Sequence, residues 1–358
     1  MKFFSTLAIS SLTLLALQVN AAALDAKVDV QSSNDGNVSA TLTITNNGQG
    51  TEKILRWYTD LEEEHIFHVL RDGVEVEFMG PHYKRHAPTE KDFIKLKSGQ
   101  SLTRTFELTS FYDMSEAGNY EISYEVSSLH LFNPDQVSTR DSSTNKLQNV
   151  QVEHLSSNAS YLWLNGIKTQ SLAKVSKKPG SDECIDGTCF SGRCSNSEKN
   201  SIFSALDAAD QMANDAVAYL TSHSANNTSA RYETWFGQAT SSRYNTAVSN
   251  FDAINDAIDN ESLTFDCSCN QSYFAYVYPN QPYKVYLCRA FWNARETGTD
   301  SRAGTIIHEL SHFNVVAGTD DVVYGQTGAK NLAISNPNQA LNNADSHEYF
   351  AENTPYQN

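Results

Sequence analysis

Apolar and polar residues alternate through the first half of the chain. In Val38-Ser-Ala-Thr-Leu-Thr-Ile44 every second residue is apolar, and Asn-Asn-Gly-Gln-Gly follows as a turn cluster. The segments "GVEVEF", "SLTRTFEL" and "NYEISYEV" repeat the alternation, punctuated by Asp72-Gly73, Gly99 and Gly118. A period of two with short, regular spacing predicts antiparallel strands in a sandwich, immunoglobulin-like in build, over roughly residues 23–155. The second half has a different period. Ile202, Phe203, Leu206, Met212, Val217 and Leu220 recur at helical spacing, and a second helix is expected around "SSRYNTAVSNFDAIND". "YFAYVYP" and "KVYLC" are expected to pair as a short hairpin. A further helix is expected to start near Thr299-Asp300, run through His312 and stop near Gly318.

Between the halves, "SLAKVSKKPGSDE" (171–183) is polar, Lys-rich and broken by Pro-Gly, and reads as an exposed linker. The first residues, "MKFFSTLAISSLTLLALQVNAAALDA", carry Lys2, an apolar run from Leu7 to Leu17 and a small-x-small site at Val19-Asn-Ala21. These are the parts of a secretory signal peptide, with cleavage expected near Ala21. The apolar run is too short to span a bilayer, which takes about 20 residues. The expected division is 1–21 signal peptide, 22–170 β-rich propeptide, 171–183 linker with a processing site, and 184–358 mainly helical domain with a small hairpin or sheet. The class is α+β.

Charge narrows the partners. The 358 residues carry a net −16, which argues against nucleic acid, whose phosphates would be repelled. From residue 179 onward there are 9 Lys/Arg against 21 Asp/Glu, a net of 9 − 21 = −12. An acidic C-terminal half favours a cationic partner. All six cysteines (184, 189, 194, 267, 269 and 288) lie in that half. An even number behind a signal peptide suggests disulfides rather than zinc binding, since no C-x-x-C pair is present.

The chemistry concentrates at His308-Glu-Leu-Ser-His312. Residues four apart share a helix face, so both imidazoles can reach one metal ion. Glu309 leans toward the same face and can hold a water as general base without binding the metal. The alternative is a stray pair on a helix. It is weakened by the apolar neighbours Ile306, Ile307 and Leu310. A catalytic zinc keeps three protein ligands and one open position. Spacing alone does not name the third: Asp320, Asp321, Asp345, His347 and Glu348 all qualify chemically. His65 and His68 ("EEEHIFH") could suggest a second metal site, but a solvent-facing strand or loop explains them better.

"HELSHF…GTDDVVYG" resembles the deuterolysin and peptidyl-Lys metallopeptidase family, the aspzincins, whose pattern is HExxH followed by G-T-x-D-x-x-Y-G. "RYETWFG", "FDCSCN", "FAYVYPN", "VYLCRAFW", "TGTDSRAGTIIHELSHF" and "ALNNADSHEYFAENTP" are similar to family segments in family order, over roughly residues 192–358. The resemblance implies a zincin-type catalytic domain with one zinc ion. It implies His308, His312 and Asp321 as ligands, Glu309 as base and Tyr324 as oxyanion donor. It further implies that Asp345 and Glu348 bind a substrate lysine, so that cleavage falls on its amino side. The disulfides it implies are Cys194–Cys267 and Cys269–Cys288, leaving Cys184–Cys189.

The expected protein is thus a secreted, monomeric zinc endopeptidase acting on lysine-containing peptides. Its propeptide would serve as intramolecular inhibitor, with Lys174, Lys177 and Lys178 as possible cut sites. Two alternatives stay open: a broad-specificity, deuterolysin-like protease, and a non-catalytic secreted binding protein that uses zinc for stability.

Overall fold

The computed structural model describes residues 23–33, 36–133, 139–140, 147–148, 152–166 and 183–358. The expected signal peptide and residues 171–182 of the expected linker, with Lys174, Lys177 and Lys178, lie outside the described residues, and Glu183, its last residue, already belongs to a strand. The described residues form a mixed α/β protein with two large hydrophobic cores and a small third cluster of Leu129, Val323, Leu332, Ala333 and Ala340.

Antiparallel strands build the first core. Leu24–Ser32 pairs with Val38–Asn46, which pairs with Ser101–Glu107. A second sheet centres on the long strand Ala117–Ser128, flanked by Phe67–Arg71, Glu153–Ser156 and Ser160–Asn165. Alternation decides which side chains go in. Along Val38–Asn46 each of Val38, Ala40, Leu42 and Ile44 is buried, while the intervening residues are half-exposed. They meet Phe67, Val69, Tyr120, Ile122 and Tyr124 from the other sheet. Tyr324, from the C-terminal half, also packs into this core. "GVEVEF" is reduced to Val74–Glu75, paired with Arg71–Leu70.

Helices build the second core. Asn196–Ser222 starts at Ser195, whose hydroxyl accepts from the Glu198 amide in a capping box. Its buried seam is made of Ile202, Ala205, Ala209, Ala213, Ala216 and Leu220. Phe203, Leu206, Met212 and Val217 are only partly covered. The expected helix is therefore present, with its buried face turned toward the alanines, which let neighbouring helices approach closely. Ser241–Asn260 packs beside it, and Ala230–Phe236 buries Tyr232, Trp235 and Phe236.

The helix that carries His308 runs from Arg302 to His312. Ser301 caps it by accepting from the Gly304 amide at 2.9 Å, so the start lies one to two residues beyond the expected Thr299-Asp300. The helix also ends six residues short of Gly318: Phe313 leaves helical geometry, and the chain turns back through Gly318 at φ +57°. That early stop is what leaves room for a return loop beneath His312. Glu352, on the last helix (Ala344–Glu352), accepts from the Ser301 amide and hydroxyl at 2.8 and 2.7 Å, and from the Asp300 amide at 3.2 Å. Two helices are thereby joined at one cap.

A six-stranded sheet closes the domain, in the order Glu183–Ile185, Thr188–Ser191, Thr264–Asp266, Lys284–Leu287, Ala275–Val277 and His82–Lys84. Ala275–Val277 and Lys284–Leu287 form the expected hairpin. The last strand comes from the N-terminal half. Disulfides join Cys184 to Cys189, Cys194 to Cys267 and Cys269 to Cys288.

Gly304 lies against Glu352: a Cβ there would sit 2.2 Å from Glu352 Oε1. Gly304→Ala is therefore expected to lower the thermal midpoint by several degrees, corresponding to about 1–3 kcal/mol. Differential scanning fluorimetry of the full-length protein checks this.

Candidate active site

His308 and His312 stand on one face of their helix and are fully buried. Their Nε2 atoms are 3.2 Å apart. The return loop is fixed by backbone bonds: the Thr319 amide donates to the Ser311 carbonyl, and the Asp320 amide to the Asn342 carbonyl. The Val322 and Val323 amides both donate to Asn343 Oδ1, at 3.1 and 3.0 Å. Held at both ends, the loop directs Asp321 inward and Asp320 outward. Asp321 Oδ1 lies 3.1 Å from His308 Nε2, and Oδ2 lies 3.5 Å from His312 Nε2. The Asp320 side chain is more than half exposed and accepts from Asn342 Nδ2.

These three spacings fit a tetrahedral metal. Bonds of about 2.0–2.1 Å place tetrahedral ligand atoms about 3.3–3.4 Å apart. The outer ring nitrogen of His312 is hydrogen-bonded, as metal-binding histidines require, and that of His308 lies beside two carboxylates. His312 Nδ1 donates to the Thr319 carbonyl at 2.7 Å. His308 Nδ1 stands 3.0 Å from Asp345 Oδ1 and 3.3 Å from Glu348 Oε2. Asp321 Oδ1 and Glu309 Oε2 are buried without a hydrogen-bond partner, an arrangement that suits an ion and a water. His308, His312 and Asp321 therefore fit the expected zinc, with Glu309 beside it. Burial pushes the Glu309 carboxyl up to about 7.

Asp345 and Glu348 stand one turn apart on the last helix, both fully buried. A lysine lies between them. Lys84, from the N-terminal half, is itself fully buried. Its Nζ is 2.7 Å from Glu348 Oε2, 3.3 Å from Asp345 Oδ1 and 3.2 Å from Asp300 Oδ1. Phe274 and Tyr349 flank it with ring centroids 5.1 and 5.6 Å away. The Tyr349 hydroxyl donates to Asp300 at 2.7 Å, and the Gly325 amide donates to Asp345 Oδ2 at 2.6 Å. Burial alone would lower the ammonium's pKa; Asp345, Glu348 and Asp300 overturn that and hold it well above the usual lysine range.

The backbone of His82–Lys84 runs antiparallel to Ala275–Val277, with Lys84 opposite Ala275 and Tyr83 opposite Tyr276. The Tyr83 amide donates to Asp321 Oδ2 at 2.9 Å, and the Lys84 amide to Glu309 Oε1 at 3.3 Å. His82 packs over His312 with ring centroids 4.9 Å apart. Beyond Lys84, a cavity of about 850 Å³ opens beside His86, Phe274, Arg289, Arg295 and Thr299.

Tyr324 and His347 are engaged by groups other than the histidine pair. The Tyr324 hydroxyl donates to Glu64 Oε2 at 3.3 Å, and its ring packs edge-on against Trp57. In this structure it faces the N-terminal half. His347 turns away from the histidine pair: Nδ1 donates to the Asn343 carbonyl, and Asn250 donates to Nε2 at 3.0 Å. Burial lowers its pKa to about 4, as suits a neutral, hydrogen-bonded core residue. His65 stacks on Phe78 at 4.4 Å. Sequence reasoning passed over Lys84, Asp300 and the contact of Asp345 with His308. The signal for Lys84 was a lone "PHYKRHAP" in a domain otherwise read as a sandwich.

Residues 219–352 match the family model described as lysine-specific metallo-endopeptidase. An "Extracellular protease" of Aeromonas hydrophila is 47% identical over 96% of this chain and 96% of its own length. A "Peptidyl-Lys metalloendopeptidase" of Armillaria mellea is 35% identical over 99% of this chain and 95% of its own. Among solved structures, a zinc peptidase from Grifola frondosa is 47% identical and covers 46% of this chain and all of its own, with a TM-score of 0.44. The chain is a metalloendopeptidase. More narrowly, it belongs to the lysine-specific metallo-endopeptidase family, the aspzincins.

Asp320 and Asp321 are adjacent but differently placed, which gives a direct test of the ligand set. Asp321→Ala is expected to lose stoichiometric zinc on dialysis, whereas Asp320→Ala retains it; atomic absorption on the purified full-length variants reads both.

Proposed function

We propose that this chain is a secreted zinc endopeptidase that cleaves on the amino side of lysine and is made as a latent precursor. The observation that carries the lysine assignment is the buried Lys84 ammonium among Asp300, Asp345 and Glu348. Residues 22–170 act as the propeptide, an immunoglobulin-like sandwich, and 184–358 as the catalytic domain, joined by the 171–183 linker. The names of the Aeromonas and Armillaria relatives support export and lysine preference.

His308, His312 and Asp321 hold the zinc. Bound there, zinc supplies a Lewis acid that brings a water's pKa toward about 7. The substrate lies extended along Ala275–Val277, as His82–Lys84 does, and takes main-chain hydrogen bonds from that edge. Asp345 and Glu348, with Asp300, seat the lysine ammonium. This fixes the bond before the lysine over Glu309. Glu309 takes a proton from the attacking water and returns it to the lysine nitrogen as the C–N bond breaks. Its Oε1 already stands 3.3 Å from the amide nitrogen of Lys84. Tyr324, once parted from Glu64, turns its hydroxyl to the carbonyl oxygen on which negative charge develops.

Glu309→Gln is expected to retain zinc and abolish peptide hydrolysis; unchanged turnover of a lysine peptide in that variant rejects the mechanism. In digests of a protein mixture, new N-termini should be almost all lysine. Asp345→Asn/Glu348→Gln should lower kcat/KM for lysine peptides by about 100-fold or more. Unselective new N-termini from the unsubstituted enzyme would point to the broad, deuterolysin-like alternative.

A further inference from the structure

The N-terminal half does more than cover the cleft. It supplies the sixth strand of the catalytic sheet, antiparallel to Ala275–Val277, with a lysine in the acidic pocket. We infer that Pro81–Arg85 is a built-in substrate mimic: Lys84 occupies the site of the substrate lysine, Tyr83–Lys84 takes the place of the cleaved bond, and this occupancy keeps the precursor latent. The inference rests on the lysine-pocket reading above.

Three observations converge. First, both amides of the mimic are engaged by site carboxylates: the Tyr83 amide with Asp321 and the Lys84 amide with Glu309. Second, the Phe274 amide donates to the Lys84 carbonyl at 3.0 Å, so the strand is tied on both sides of its lysine. Third, the next residue is clamped. Arg85 is buried, with its guanidinium 4.9 Å from the Trp57 ring, 4.7 Å from Tyr83 and 4.8 Å from Tyr273. Its Nη1 meets Glu63 Oε2 at 2.5 Å, and its Nη2 donates to the Glu63 carbonyl. Tyr273 in turn donates to Glu63 Oε1 at 3.0 Å. Arg85 thus anchors the mimic to Trp57 and Glu63 of the N-terminal half and to Tyr273 of the catalytic half at once. A flexible tail would be a poor inhibitor; a strand fixed at the sheet edge and clamped one residue later loses little entropy by staying bound.

Lys84 holds the assembly electrostatically. Withdrawing its ammonium leaves Asp345 and Glu348 buried and uncompensated, which is strongly unfavourable until a substrate lysine replaces it. Opening the cleft and admitting substrate are therefore one exchange of ammonium groups.

The test uses the full precursor in a Glu309→Gln background, which prevents self-digestion. The probe is a fluorescent peptide with a single lysine, titrated by anisotropy; the control peptide has norleucine in its place. The Glu309→Gln precursor should exclude both. Adding Lys84→Met should tighten apparent binding of the lysine peptide by about 100-fold or more, with no such gain for the norleucine peptide. Continued exclusion by Lys84→Met overturns the inference, and equal gain for both peptides reduces the segment to a plug. Should Lys84→Met fail to fold, amine acetylation of the unsubstituted precursor gives an independent reading by mass spectrometry. Lys84 should be protected by at least about tenfold relative to the exposed Lys97, and equal labelling overturns the inference. The lysine-pocket reading is judged separately, on the processed enzyme: digests without lysine N-termini reject it whatever Lys84 does.

Discussion

A cluster of buried carboxylates sets the terms for everything else in this molecule. Glu309, Asp321, Asp345 and Glu348 are packed around one helix pair and withdrawn from water. Isolated buried charge is costly, so such a cluster exists only with compensating cations. The histidine pair faces Asp321; the Lys84 ammonium answers Asp345 and Glu348. The histidine pair and the lysine seat are not separate features. Asp345 and Glu348 face His308 on one side and Lys84 on the other, so one pair of side chains orients a histidine and receives an ammonium.

Support for that cluster comes from ordinary structural devices. Ser301 and Glu352 lock the start of one helix to the end of another. Asn343 ties the loop after Gly318 by two amides. Neither arrangement touches the reacting groups, yet each fixes where a functional carboxylate points.

Much of this was legible in the sequence. Alternation at Val38–Ile44 and the 3.6-residue period after Ser195 separate a β half from a helical half, because both patterns report burial directly. The i, i+4 histidines with Glu309 mark a metal helix for the same geometric reason. The choice of Asp321 over Asp320 was legible only through family resemblance, since adjacent residues differ by which way a loop turns and no local pattern encodes that. The orientation of Tyr324 and the docking of Lys84 depend on contacts more than 200 residues apart, which periodicity cannot reach. The helical period of Ile202, Phe203, Leu206, Met212, Val217 and Leu220 located the helix, and all six pack in or against its core, but the fully buried alanines between them are too small to stand out in a hydrophobic pattern.

The sheet carries one more consequence. Its sixth strand is lent by the N-terminal half, so removal of that half, as the proposed processing requires, would leave Ala275–Val277 as an open edge with unpaired amides and carbonyls. Under the proposed function the processed enzyme would be an unfinished sheet, and its substrate would be the segment that completes it. Only a stretch of chain that can be drawn out straight would do so. Compact proteins would then be cut only where they fray, so that a target's own unfolding would select it as much as its lysines.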